Sequence, residues 1–352
     1  MRTLKIKDLG RVVTGKTPST KNEEFYESAD YQFVCPPDIK STRYINTTDK
    51  YISNKGFQSC KSMCINPESI LIDCIGADLG NVAISTQKCL TNQQINSITN
   101  INRSLALPLY LYYLFSTKKS FFHLIGQNGS TMPIINKSMF ENIEVDVHEM
   151  LIQQHIVNTI GTVDDLIEKK IHIIDKLENL SKLLYLKHKQ QREGRLMLGE
   201  CCDIKTGKLD ANAEEKDGKY PFFTCGQEIL KINNYAFDCE AIIISGNGEI
   251  SARYHKGKFN AYQRTYVLTP TKYFYLFLEE CKLSINDLKN NSQGSVIKFI
   301  TKGMLENIKV IDDSKSAEVN HRIGDIYRSI LTLRNELASL KEIKSKLLSK
   351  YF

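Results

Sequence analysis

GSTMPIINKSMFENIEV, residues 129–145, and GSVIKFITKGMLENIKV, residues 294–310, are the two stretches that decide the fold of this chain. Laid side by side without a gap, they share Gly, Ser, Ile, Lys, Met, Glu, Asn, Ile and Val in register. Internal repetition on that scale points to duplication of a whole domain, because the unit is too long for a solenoid repeat. Other echoes keep the same order. Leu9-Gly10 followed by Thr14-Gly15-Lys16 is answered by Leu198-Gly199 followed by Thr206-Gly207-Lys208. Tyr110–Phe115 is answered by Tyr273–Leu278, and Gln94 lies on Gln263.

Each copy is followed by a long apolar periodicity. Ile156, Ile160, Val163, Ile167, Ile171, Ile174, Leu177, Leu180 and Leu184 step by three or four, as do Ile323, Ile326, Ile330, Leu333, Leu337, Leu340 and Leu347. A mean period near 3.5 keeps a seam on one side of a supercoiled helix. Lys344 interrupts the second seam once, and no proline occurs in residues 149–192 or 314–352. The plain alternative is two separate amphipathic helices, each packed on its own domain. Equal period and similar length favour helices that pack on each other. A helix of about 40 residues is about 60 Å long, more than a small domain needs to cover its core.

The expected architecture is α+β: two similar globular domains, residues 1–148 and 196–313, separated by two long helices, 149–195 and 314–352, that form an antiparallel coiled coil. Inside the copies, Ser69–Asp73 before Gly76 and Ala241–Ile244 before Gly246 read as buried strands ending in turns. Leu107–Ser116 and Tyr273–Glu280 read as short aromatic helices.

The chain has 352 residues, 41% hydrophobic and 25% charged, which excludes wholesale disorder. No apolar run is long enough to span a bilayer, no secretory leader is evident, and the expected location is the cytoplasm. The ten cysteines then read as reduced thiols, and no metal-ligand spacing is completed. No phosphate-binding loop, dinucleotide loop, amino-methyltransferase tetrapeptide or Ser–His–Asp set is found, so the chain reads as a binding protein without catalytic residues.

Net charge is only +7, and residues 196–313 sum to −1. The distribution says more than the total. No acid lies between Asp78 and Glu141, between Glu249 and Glu279, or between Leu288 and Leu305. Those intervals suit a surface that approaches phosphates. The candidate phosphate contacts are Lys16, Lys88, Lys118, Lys119 and Lys137 in the first copy and Lys208, Arg253, Lys256, Lys258 and Lys298 in the second. Amide- and hydroxyl-rich stretches offer side chains that read base edges: Gln93, Gln94, Gln127, Asn128, Ser130 and Thr131, then Gln263, Arg264, Ser292, Gln293 and Ser295. Arg264 is the candidate for guanine. For any single one of them a solvated loop is the simpler account, and the recurrence of Gly-Ser before the apolar-Lys segment raises the odds at the two repeated loops.

The whole layout resembles the DNA-specificity (S) subunit of type I restriction-modification systems. The resemblance rests on Leu9-Gly10…Thr14-Gly15-Lys16-Thr17-Pro18, on Gly129-Ser130…Met139…Asn142-Ile143-Glu144-Val145, and on the helix opening Gln153-Gln154-His155-Ile156-Val157, which is eroded to Asn320-His321-Arg322-Ile323 in the second copy. The family commonly has a proline before that opening; here Glu149 stands without one. The resemblance implies two target-recognition domains, each binding one half of an asymmetric bipartite site on double-stranded DNA. It implies helices that set the spacer and dock two methyltransferase subunits, with restriction subunits joining in some complexes. S-adenosylmethionine, ATP and Mg would be held by those partners, which would methylate the adenine exocyclic nitrogen. The rival expectation is a coiled-coil adaptor that binds proteins and reads no DNA.

Overall fold

Ile70-Leu71-Ile72-Asp73 exposes none of its four residues, so both faces of this strand are covered and it lies inside a sheet. The structure, a computed structural model, describes residues 1–39, 43–127, 133–190, 195–292 and 298–352. Two units emerge: residues 1–168 with 338–352, and residues 169–337.

In the first unit, Ile70–Asp73 is the centre of a five-stranded sheet in the order Arg11–Thr14, Ile95–Thr99, Ile70–Asp73, Val82–Ser85, Tyr44–Ile45. A second sheet holds Lys50–Ile52, Tyr31–Val34 and Cys89–Thr91. The N-terminal strand Arg2–Lys5 pairs antiparallel with Glu144–Val147. Helix Pro108–Ser116 buries Tyr110, Leu111, Tyr113, Leu114 and Phe115 against the large sheet.

The second unit repeats this plan as one six-stranded sheet: Cys202–Thr206, Thr265–Pro270, Phe237–Ser245, Ala252–Ala261, Tyr220–Phe223, Leu230–Ile232. Arg195–Met197 pairs with Lys309–Ile311 as Arg2–Lys5 pairs with Glu144–Val147. The aromatic helix runs Phe274–Asn290, well past the expected Glu280. It replaces two shorter helices of the first unit, Pro108–Ser116 and Lys119–Gly126.

The repeated 17-residue block is repeated local chemistry. Helix Lys137–Glu141 is capped by the Asn136 side chain on the Met139 amide, and helix Lys302–Glu306 by Thr301 on the Met304 amide. Asn and Thr differ in letter and do the same work. Ile6 N–H donates to Ile143 O at 3.0 Å, and Leu198 N–H to Ile308 O at 2.8 Å. Leu198 therefore stands where Ile6 stands, not where Leu9 does. Both open short helices whose N3 acid, Asp8 or Glu200, accepts from the preceding amide.

The two long helices are Met150–Lys189 and Ser316–Tyr351. Within each unit they run antiparallel. In the first, His155 meets Tyr351 at 2.9 Å and Asp164 meets Lys344 at 2.7 Å. In the second, Lys170 meets Glu336 at 2.5 Å, Glu178 meets Arg334 at 2.6 Å and His188 meets Ser316 at 3.3 Å. Ile156, Ile160, Ile167, Ile174, Ile323 and Ile330 are buried. Val163, Leu177, Leu184, Ile326, Leu333, Leu337, Leu340 and Leu347 are half-buried. Ile171 and Leu180 are exposed, and do not belong to the seam. The inward phase at that end is carried by Ser181, Tyr185 and His188, all buried.

The polar openings of both helices are structural. Gln153, fully buried, accepts the Leu107 amide through Oε1 and donates to Leu105 O and His148 O. Asn320 Oδ1 accepts the Tyr275 amide at 2.8 Å. Each side chain satisfies orphan amides at the start of the aromatic helix. Lys344, the interruption of the seam, is answered across the helix pair by Asp164, which also accepts the Tyr113 hydroxyl at 2.9 Å. Buried Arg43 reaches Asp165 and Glu168 on the same helix at 2.6 and 3.0 Å, and these carboxylates hold its proton more firmly than usual despite burial.

Candidate nucleic-acid interface

Thr14-Gly15 and Thr206-Gly207 recur because both glycines press against a backbone. A Cβ at Gly15 would collide with the carbonyl oxygens of Thr91 and Asn92, and one at Gly207 with those of Ala261 and Tyr262. The close approach lets Gly15 N–H donate to Ile95 O at 3.0 Å and Gly207 N–H to Thr265 O at 3.2 Å. It also delivers Lys16 and Lys208, both exposed, beside the turns Asn92–Gln94 and Tyr262–Arg264.

A chain of backbone hydrogen bonds then builds the rim of each sheet. In the first unit, Cys74 N–H donates to Gln94 O (2.8 Å), Ile135 N–H to Cys74 O (2.9 Å), Gly76 N–H to Pro133 O (2.9 Å) and Ile134 N–H to Gly126 O (3.0 Å). In the second, Gly246 N–H donates to Arg264 O and Ile300 N–H to Gly246 O, both at 2.8 Å. Lys16, Gln93, Gln94 and Gln127 are thereby gathered on one rim, and Lys208, Gln263, Arg264 and Lys298 on the other. Lys119, exposed and bonded to Asn81 at 2.7 Å, joins the first rim through the turn that ends at Gly80. Beside the second rim lies an open cleft of about 490 Å³ lined by Gly248, Glu249, Ile250, Lys289, Asn290 and Lys298.

This bonding corrects the alignment of the turns. Gln94 corresponds to Arg264 and Gln93 to Gln263, one residue away from the Gln94–Gln263 match; letter identity alone allows either register. The two glutamines in equivalent places are tied to their own chain. Thr17 Oγ1 donates to Gln93 Oε1 at 2.7 Å, and Gln263 Nε2 donates to Asp210 at 2.9 Å. Gln94 and Arg264 hold no side-chain hydrogen bond among the described residues. Asp210 has no signal in the sequence, Thr17 stands there only within the Thr14–Pro18 motif, and Asn92, whose side chain accepts the Gln94 amide at 2.6 Å, only within the polar turn.

Other candidates lie apart from the rims or are engaged locally. Lys88 and Lys258 occupy equivalent exposed places, four residues before Asn92 and Tyr262, and Lys258 sits 4.6 Å from the Tyr235 ring centre. Lys256 is exposed opposite Glu240. Lys137 lies 3.6 Å from Glu141, the acid that closes its acid-free interval. Lys118 is half-buried at a helix start, and Arg253 donates to Gly226 O at 2.5 Å. Ser292 donates to Lys289 O at 2.6 Å, closing a helix end. Asn128, Ser130, Thr131, Gln293 and Ser295 lie outside the described residues. Among the described residues no three His, Cys, Asp or Glu gather to hold a metal, and no helix is long and apolar enough to cross a membrane.

Two copies of one sheet-and-rim unit, each carrying half of a helix pair and displaying a different set of polar side chains at the same place, define a duplicated recognition protein. The family model for the type I restriction modification DNA specificity domain matches residues 1–179 and 196–344, and the chain belongs to that family. It is similar to the type I restriction enzyme EcoDI specificity subunit of Escherichia coli, 45% identical over 152 residues, which covers 42% of this chain and 34% of that one. It is 33% identical over 184 residues to the MjaIX specificity subunit of Methanocaldococcus jannaschii, covering 51% and 42%. The matches thus span less than half the length of these curated relatives. A crystal structure of the S subunit from M. genitalium shares the fold at a TM-score of 0.65 and 17% identity, covering 100% of this chain and 96% of that one.

Proposed function

We propose that the chain is the DNA-reading, non-catalytic subunit of a type I restriction-modification complex acting in the cytoplasm. The observation that carries the reading is the pair of equivalent rims with unlike side chains, Gln94 in one and Arg264 in the other. Residues 1–148 and 196–313 are taken as the two recognition domains, and each binds one half of a bipartite, asymmetric site on double-stranded DNA. The helical segments 149–195 and 314–352 set the spacer and dock two methyltransferase subunits. S-adenosylmethionine belongs to those subunits, and ATP and Mg to restriction subunits where these join.

In this reading Lys16, Lys119, Lys208 and Lys298 contact phosphates from the rims and fix register. Lys88 and Lys258 are a second equivalent pair of exposed cations available to the backbone. Base reading falls to Gln94 and Arg264, with Gln93 and Gln263 as buttresses. A guanidinium suits the paired acceptors of guanine, and an amide the donor and acceptor of adenine.

The test is methylation mapping of a host that carries the system, with the native chain and with Arg264→Ala. The native complex should methylate a bipartite asymmetric motif. The variant should lose methylation at that motif while still co-purifying with the methyltransferase. A symmetric or continuous motif, or loss of both properties together, refutes the assignment. A gel shift of the native complex should weaken steeply between low and moderate salt; salt-independent or absent binding favours the protein-adaptor reading.

A further inference from the structure

The two units differ most between the strands Tyr31–Val34 and Lys50–Ile52 and their counterparts Tyr220–Phe223 and Leu230–Ile232. The first connection comprises residues 35–49, the second only residues 224–229. In the first unit the extra length lays Tyr44–Ile45 against Val82–Ser85 as a parallel strand, Tyr44 opposite Ile84. Ile84 N–H donates to Arg43 O at 2.9 Å, and the Arg43 guanidinium runs on to Asp165 and Glu168 of the long helix.

In the second unit Tyr254 holds the position of Ile84: Ile242 pairs with Tyr254 as Ile70 pairs with Ile84. No strand among the described residues pairs with Ala252–Tyr254 on the outer side. Ser245 N–H donates to Ser251 O at 3.0 Å, so by antiparallel alternation the backbone groups of Ala252 and Tyr254 point outward. A cavity of about 370 Å³ adjoins this edge and includes Phe223, Ala252, Tyr254, Tyr327 and the cations Arg253, Lys282 and Arg334. Glu178 is its one acid among the described residues and is already bonded to Arg334 at 2.6 Å. Arg253 Nη1 is buried without a hydrogen-bond partner among the described residues. An unpaired edge beside a cavity of fixed charge is the geometry of strand addition.

We propose that the Ala252–Tyr254 edge and its cavity form a docking site for an extended acidic segment of a partner protein, which joins the sheet as an added strand. The segment takes the place that Tyr44–Ile45 takes in the first unit. Its acidic side chains meet Arg253 and Lys282, an inversion of the arrangement in which Arg43 meets Asp165 and Glu168. Three cations against one already bonded acid in the described lining select an acidic occupant, here a segment of another protein. The site is built on the sheet edge, and its assignment does not rest on DNA reading.

The probe is a capped eight-residue peptide of alternating valine and aspartate, titrated onto the full chain. Saturable binding below about 1 mM is expected, and about tenfold weaker binding after Ala252→Pro, which removes an outward amide from the first residue of the strand. Methylating the peptide's own edge-facing amides should weaken binding equally, and this arm does not depend on the variant's folding. Lys282→Glu should shift preference from the aspartate peptide toward a valine–lysine peptide. No saturation by 1 mM, indifference to N-methylation, or equal binding of acidic and basic peptides overturns the proposal. Concentration-dependent dimerisation blocked by Ala252→Pro also overturns it, by assigning the edge to a second copy.

Discussion

Replacing Asp164 by Ala removes the carboxylate that answers Lys344 across the helix pair. Asp164 is 4% exposed and its Oδ1 lies 2.7 Å from Lys344 Nζ, whose side chain is 26% exposed. At an effective dielectric of about 20 the gross attraction is about 6 kcal/mol. Desolvation of the carboxylate offsets much of it, and stranding a fully buried partner costs about 3–5 kcal/mol. Lys344 can turn partly toward water, so the expected loss is near the low end, about 3 kcal/mol. For a unit of this size that lowers the melting temperature by about 6–12 °C. The double variant Asp164→Leu with Lys344→Leu continues the apolar seam but takes the acceptor from the buried Tyr113 hydroxyl, and should lie about 1–3 kcal/mol below the native chain. Urea unfolding of the native chain, Asp164→Leu, Lys344→Leu and the double variant closes a double-mutant cycle. A coupling energy of about 2 kcal/mol or more is expected. Single variants whose losses simply add would refute the view that the pair acts as a unit.

Gly15→Ala and Gly207→Ala each drive a methyl group into backbone carbonyls, and each should cost about 3 kcal/mol in thermal unfolding and weaken DNA binding of the complex; an unchanged melting temperature for either would show that the rim yields. Gln153→Ala strands the Leu107 amide and two carbonyls in a buried site and should cost about 3 kcal/mol, whereas Asn320→Ala, which opens one helix start, should cost about 1 kcal/mol, both read by urea unfolding. Burial lowers the affinity of His255 for a proton in the second unit, and burial followed by the N-terminal ammonium does the same to His148 in the first. The unfolded chain therefore takes up these protons first, and the contribution of the two histidines to stability is constant above pH 6.5 and falls as pH drops through that value. His255→Phe, placed between Phe223 and Phe259, should flatten this slope in a pH series of melting curves; a slope equal to that of the native chain would count against the assignment.

What the sequence displayed well was repeated local chemistry. Residues 129–145 and 294–310 announce themselves because a cap, a short helix and a strand need the same residue types in the same order. The helix pair was legible for a similar reason, since an apolar period of 3.5 has few other uses. Its interior was legible only in part. Ile171 and Leu180 extend the apolar rhythm yet are exposed, while Gln153, Asp164, Ser181 and His188 are polar yet buried. A periodicity count scores residue type, whereas a polar group buries itself whenever a specific partner neutralises it, and those partners lie elsewhere in the chain. Asp164 finds Lys344 and Tyr113, and Ser181 finds Glu279 at 2.5 Å.

The turns show the complementary failure. Letter identity fits Gln93 and Gln94 equally well to Gln263, and only the fold, which aligns carbonyls, decides. The amide after the central strand, Cys74 in one unit and Gly246 in the other, selects Gln94 and Arg264 as equivalents. Duplication therefore preserved the backbone bonds that aim this position and released the side chain that occupies it. Gln93 and Gln263 kept both their identity and a tether to the neighbouring loop. A position held by main-chain bonds and free at its side chain is where two copies can diverge in recognition without loss of fold. That is why Gln94 and Arg264, rather than the more numerous lysines, carry the proposal that the two half-sites differ.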